Sequence, residues 1–177
     1  MTEKFERLKN NIIDMIAEEQ AKLGYMKESV RLYYPLESLR HLTGTEAGSG
    51  EMPGVLAEFV REAEAEIGRI EVSQKGERFC FICSKEVSEY VHENYGGAFI
   101  YELINLLTRH GISFDDIIAL FKGEDADCIV ESVDNGEFHM MIRFSKGPDE
   151  YYYCFKDEGG HIIYHRFLPE DYKDFGF

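Results

Sequence analysis

With 177 residues, 44% hydrophobic and 14% aromatic, the chain can bury a core and is not a disordered polypeptide. Its 34 acids and 19 bases leave a net charge of −15, divided as 13 acids and 8 bases over residues 1–68 and 21 and 11 over 69–177. The absence of a basic stripe argues against nucleic acid and anionic membrane surfaces; the acidic surface favours first of all solubility, then basic partners or cationic ligands.

No apolar run approaches the ~20 residues of a membrane span. The opening MTEKFERLKNNIIDMIAEEQ is a charged helix rather than a signal peptide. The expectation is a cytoplasmic protein with Cys80, Cys83, Cys128 and Cys154 reduced.

In chain order, Phe5, Leu8, Ile12, Ile16 and Leu23 mark one stripe of a helix over 3–23, with Gly24 as its C-cap. The segment SVRLYYPLESLRHLTG carries a second helix, with Pro35 in its first turn and its end near Gly44. Residues 45–54 are small, polar and glycine-rich, and read as a loop; 55–67 form a third, acidic helix. Residues 69–73 and 78–82 alternate across a QKGE turn. Ile70, Val72, Phe79 and Phe81 then share one face of a half-buried hairpin.

Ser84 caps a helix over 85–94, and Gly96-Gly97 breaks it. Residues 98–110 form the most apolar helix, read as central and buried. Ser113 and Asp116 make a capping box for a helix over 114–122, with Ile117, Ile118, Leu120 and Phe121 inward.

The stretch 126–168 is a meander whose register follows from its turns. Asn135-Gly136 is a strong hairpin signal and pairs Val133 with Phe138 and Ile129 with Ile142. Across KGPD, Arg143 meets Tyr152 and Met141 meets Cys154. Across DEGG, Lys156 meets His161 and Tyr152 meets His165. The core face is then Ile129, Val133, Phe138, Met140, Ile142, Phe144, Tyr151, Tyr153, Phe155, Ile162 and Tyr164. The other face carries His139, Met141, Arg143, Tyr152, Cys154, Lys156, His161, Ile163 and His165.

Together these elements predict one α+β domain over 1–177: a helical N-terminal segment over 1–67 and a sheet-and-helix core over 68–177. The sheet is expected to be antiparallel with about five strands, hairpin 69–82 joining meander 126–168, packed against helices.

His139, Arg143, Tyr152, Lys156, His161 and His165 are the candidate binding face. Two rows, Arg143–Tyr152–His165 and His139–Lys156–His161, could hold an anion or supply a general acid and base. The plainer reading, and the favoured one, is a polar exterior with ordinary cross-strand pairs. His161 and His165 lie about 13 Å apart along a strand, too far to share one ion, and no metal or other cofactor is called for. Cys80-x-x-Cys83 lacks a second C-x-x-C and reads as two packing cysteines. Cys154 has no orienting carboxylate or oxyanion hole beside it. No glycine-rich phosphate loop is present: 48–54 lacks the Lys-Ser/Thr of a P-loop.

The runs GISFDDIIALF, EFHMMIRF and DEYYYCFKDEGGHIIYHRFLPEDYKDFGF, with RLYYPLESLRHLTG before them, resemble a family of small uncharacterised proteins from gut anaerobes, a domain of unknown function. The resemblance implies a soluble bacterial protein and brings no activity or site residue. Three readings stand: a non-enzymatic binding protein, such as an immunity-type inhibitor of a basic partner; a small hydrolase or transferase using the His/Tyr/Arg face; and an oligomerising module.

Overall fold

In the computed structural model, residues 1–133 and 136–174 are described. The chain forms two compact units, Met1–Tyr101 and Glu102–Phe177. The segments 1–67 and 68–177 read from the sequence do not coincide with that division.

The first unit begins with α1 (Glu3–Leu23). Phe5, Leu8, Ile12 and Ile16 are fully buried, as their spacing predicts, and Gly24 ends the helix at φ 73. Leu23 departs from the stripe and is 40% exposed. Next comes a strand absent from the sequence reading, β1 (Val30–Pro35). Its signal is nonetheless there: Val30, Leu32 and Tyr34 alternate inward against Arg31, Tyr33 and Pro35 outward. Buried Tyr34 donates its hydroxyl to Asn11 Oδ1 at 2.7 Å, tying β1 to α1. Pro35 then caps α2 (Leu36–Thr43), which Gly44 ends as expected.

The third helix, α3 (Met52–Glu66), starts three residues earlier than predicted. Pro53 in its first turn converts the end of the glycine-rich loop into helix. The hairpin follows as β2 (Ile70–Lys75) and β3 (Arg78–Cys83). Gly76, at φ 63, occupies the first central position of its two-residue turn, where a side chain would be strained. Then come α4 (Lys85–Tyr95) and α5 (Phe99–Leu107), and the division between units falls within α5. α5 ends earlier than its apolar run suggested, burying Phe99, Ile100, Leu103 and Ile104.

The second unit continues with α6 (Phe114–Glu124), whose predicted capping box forms in both directions. Four strands follow: β4 (Ile129–Ser132), β5 (Met140–Arg143), β6 (Tyr152–Asp157) and β7 (Ile162–Phe167). α7 (Pro169–Asp174) ends the described chain.

The class is α+β with antiparallel pairing, as read from sequence. The single five-stranded sheet is corrected: the described residues form two sheets, ordered β1-β3-β2 and β4-β5-β6-β7. The physical reason is local. β1 satisfies the second edge of β3, from Val30↔Cys83 to Pro35↔Arg78, so the hairpin completes its sheet within its own unit.

The KGPD register is as expected, with Met141 opposite Cys154. The other two registers differ. β4 pairs Val130, not Ile129, with Ile142. The Asn135 half of the Asn135-Gly136 turn lies outside the described residues. Around DEGG the loop closes at Gly159-Gly160, both at positive φ as a tight two-residue turn demands. That moves the register by two residues, and Lys156 faces Ile163 while Tyr152 faces Phe167.

Both faces of the second sheet are packed. On the α6 side, Phe121 stacks on Phe144 at 4.9 Å and meets Tyr153 edge-on at 5.0 Å. On the other, Phe138, Met141, Cys154 and Tyr172 form a small buried cluster. The sequence register places Phe138 on the α6 side. Regular pairing starts only at Met140, so the strict alternation behind that placement does not reach it.

Candidate functional site

The six predicted face residues fall into separate small groups. The Arg143 guanidinium lies 5.3 Å over the Tyr152 ring, one contact the sequence register anticipated. Tyr152 also stacks on Tyr172 of α7 at 4.5 Å. His165 sits opposite Cys154, not Tyr152, and its ring lies 5.6 Å from Phe138. The expected row Arg143–Tyr152–His165 therefore does not form. Nor does His139–Lys156–His161. Lys156 pairs with Glu158 at 2.7 Å, His139 Nδ1 accepts from the Asp157 amide at 3.1 Å with its ring toward Phe114, and His161 meets the ring of His110 at 6.2 Å. The α7 cover keeps Met141 and Cys154, the centre of this face, 1% and 0% exposed.

That cover decides the cysteine chemistry. Burial pushes the Cys154 thiol up to about 12, with Glu137 opposing its ionisation further. A thiol held so high is not a nucleophile at neutral pH. Cys83 is likewise buried and pushed up to about 12, while Cys80 lies on the opposite face of β3, so the C-x-x-C pair does not converge. Among the described residues, no group of three or more His, Cys, Asp or Glu is arranged to hold a metal ion.

One polar cluster in this unit escaped the sequence reading. The Tyr153 hydroxyl donates to Asp149 Oδ2 at 2.6 Å, and the Tyr151 amide donates to Oδ1 at 3.1 Å. The Arg166 guanidinium lies 4.5 Å over the Tyr151 ring. Burial raises the Asp149 carboxyl despite these donors and pushes the Tyr153 phenol well up. The arrangement anchors the turn that joins β5 to β6.

The first unit is built differently. Its sheet buries Leu32, Phe79 and Phe81 on one face and leaves the other open. At the β2 edge, β2 and α3 frame a groove of about 520 Å³. Pro53, Leu56, Ala57 and Val60 form its helical wall at spacings of three and four, and residues 70–74 form its strand wall.

The strand wall also carries unpaired backbone. The Ser84 amide donates to the Arg69 carbonyl, and hydrogen-bonded pairs alternate along an antiparallel ladder. Ile70, Val72 and Gln74 therefore fall in the non-bonded pairs with β3. Their N–H and C=O groups point to the free edge, since β2 is terminal in the sheet. The β1 edge is blunter, because Pro35 offers no N–H there.

The fold and its site thus define a small α+β protein with one sheet packed on one face by α6 and over the centre of the other by α7, and one sheet open at an edge strand. The chain belongs to the family described as "Domain of unknown function, E. rectale Gene description" (DUF3877), which it matches over residues 5–176. Searches of the curated proteins and of the solved structures each return no match.

Proposed function

We propose that this chain is a non-enzymatic interaction protein that receives an extended segment of a partner along β2. The observation that carries the reading is the free β2 edge beside an apolar groove. A segment added as a fourth strand would pair with the outward groups of Ile70, Val72 and Gln74. Alternate side chains would rest on Pro53, Ala57 and Val60, so the backbone supplies affinity and the helical wall selects apolar residues.

The charge of the partner follows from the groove and from the whole chain. The helical stripe continues to exposed Glu64 at the C-terminal end of α3, where the helix dipole is negative. With a net charge of −15 behind it, the fitting partner is basic near that end of the segment. An immunity-type inhibitor of a basic enzyme, in the cytoplasm, is one concrete form of this function.

Selection of displayed random peptides against the protein tests it. Enriched peptides should alternate apolar residues and carry Lys or Arg at one end. They should lose binding to Val72→Pro, which deletes an outward N–H and leaves the ladder to β3 intact. No enrichment, or equal binding to the variant, sinks the proposal.

A second reading keeps the meander as the working surface, with Arg143, Tyr152, Lys156 and His165 as a binding or catalytic face and His139 and His161 at its margin. It is favoured by the guanidinium–ring contact of Arg143 and Tyr152. Substrate-dependent chemical-shift changes confined to those residues would support it over the groove.

A further inference from the structure

We infer that the outer face of the β1-β3-β2 sheet binds a small ligand in which a planar ring carries phosphate groups, a nucleoside phosphate being the plainest member of that class. The inference rests on the outward charges and ring of this face, although Ser73 and Gln74 also line the β2 groove.

Residues that alternate outward place Arg31 and Tyr33 on β1, Arg78 and Cys80 on β3, and Ser73 and Lys75 on β2 on one surface. Arg31, Lys75 and Arg78 make no ion pair among the described residues, although the chain holds 34 acids. Lys75 and Arg78 are directly opposite in the ladder. Like charges placed so repel one another, and among the described residues no carboxylate forms an ion pair with either, the Glu71 on the same face being paired with Arg69. A multiply charged anion between the two side chains would relieve that repulsion.

Beside this pair stands Tyr33, whose ring is 65% exposed, the most exposed of the large apolar side chains among the described residues. Tyr33, Ser73, Gln74, Lys75, Arg78 and Cys80 line one depression of about 220 Å³. Tyr33 is a diagonal neighbour of Arg78, about 7–8 Å away along the diagonal, within the span of one ligand. A ring stacked on Tyr33 thus lies where its phosphates reach Arg78 and Lys75, with the Ser73 hydroxyl at the margin. Two adjacent cations favour a phosphate or diphosphate over a single carboxylate, which one of them would satisfy.

The test titrates adenosine diphosphate, pyrophosphate and adenosine into the full chain, read by amide chemical shifts. The expected result is saturable change at Tyr33, Ser73, Lys75, Arg78 and Cys80, with the diphosphate nucleoside binding at least tenfold tighter than pyrophosphate or adenosine. Lys75→Glu should weaken it tenfold or more and at the same time melt higher than wild type, because an attractive cross-strand pair replaces a repulsive one. That opposite movement of binding and stability separates a ligand site from a merely structural patch. The inference is overturned if no probe saturates below millimolar concentration, if pyrophosphate binds as tightly as the nucleotide, or if a hexaglutamate peptide moves the same amides at lower concentration. Val72→Pro should leave nucleotide binding unchanged, so the groove and this face succeed or fail separately.

Discussion

The two sheets of this protein solve the same problem in different ways. The β4-β5-β6-β7 sheet is covered on both faces: by Phe121 of α6 on one, and over the centre of the other by Phe138 and Tyr172. The β1-β3-β2 sheet is covered on one face only, and its β2 edge is free. Residue types with chemical capability crowd the first, where His139, His161 and His165 stay exposed around a buried centre at Met141 and Cys154, whereas the second leaves a whole face and an edge uncovered. A short terminal helix thus divides one sheet face, burying the thiol of Cys154 at its centre and leaving the histidines at its margin in solvent.

The largest effect that would sharpen this contrast comes from the α6 side. Phe121 is fully buried among three aromatic rings, so Phe121→Ala should cost about 3–5 kcal/mol, measured by denaturant unfolding. A loss near zero would mean that this face is not the core it is taken to be.

The opposing cover should cost somewhat less to remove. Tyr172→Ala deletes the ring stacked on Tyr152 and should destabilise by about 2–3 kcal/mol. It should also open Cys154, which a thiol reagent would then label far faster than in the parent protein. The matched change on the open sheet, Tyr33→Ala, should stay within about 0.5 kcal/mol. Equal costs for the two tyrosines would break the comparison.

The smallest effects are those of pH, and the second unit contains both signs. Asp149 is raised above 3.8, chiefly by burial. Its contribution is fully present below the unfolded value and is lost as pH rises through the folded one. Asp149→Asn removes that loss, so the variant should gain on wild type as pH increases from about 4. Asp125 is lowered, chiefly by the Lys146 amide, and also accepts from Ser145 and Asp127. Its contribution is present above 3.8 and is lost as pH falls through the depressed value. Asp125→Asn should therefore lose most at neutral pH and converge on wild type in acid, as melting curves across pH would record.

How far the sequence could be read depended on the range of the forces involved. Helix caps act within one turn, and Gly24, Gly44 and the Ser113/Asp116 box were all legible. So was the register across KGPD, where a short turn leaves little freedom. The DEGG register was not, because a four-residue motif accommodates a tight two-residue turn at Gly159-Gly160 that slides the strands by two. β1 was missed because its six-residue alternation abuts a helix and its partner β3 lies far along the chain.

The sequence by itself determined the α+β class, the antiparallel hairpins, the charge of −15 and most helix ends, since these follow from composition, periodicity and contacts between near neighbours. Only the tertiary structure decided that the described strands form two sheets, that Cys154 lies beneath Tyr172, and that the β2 edge stands free. Those outcomes turn on which distant segment wins a shared edge or face. That competition is settled by packing between elements and leaves no periodic mark in any one of them.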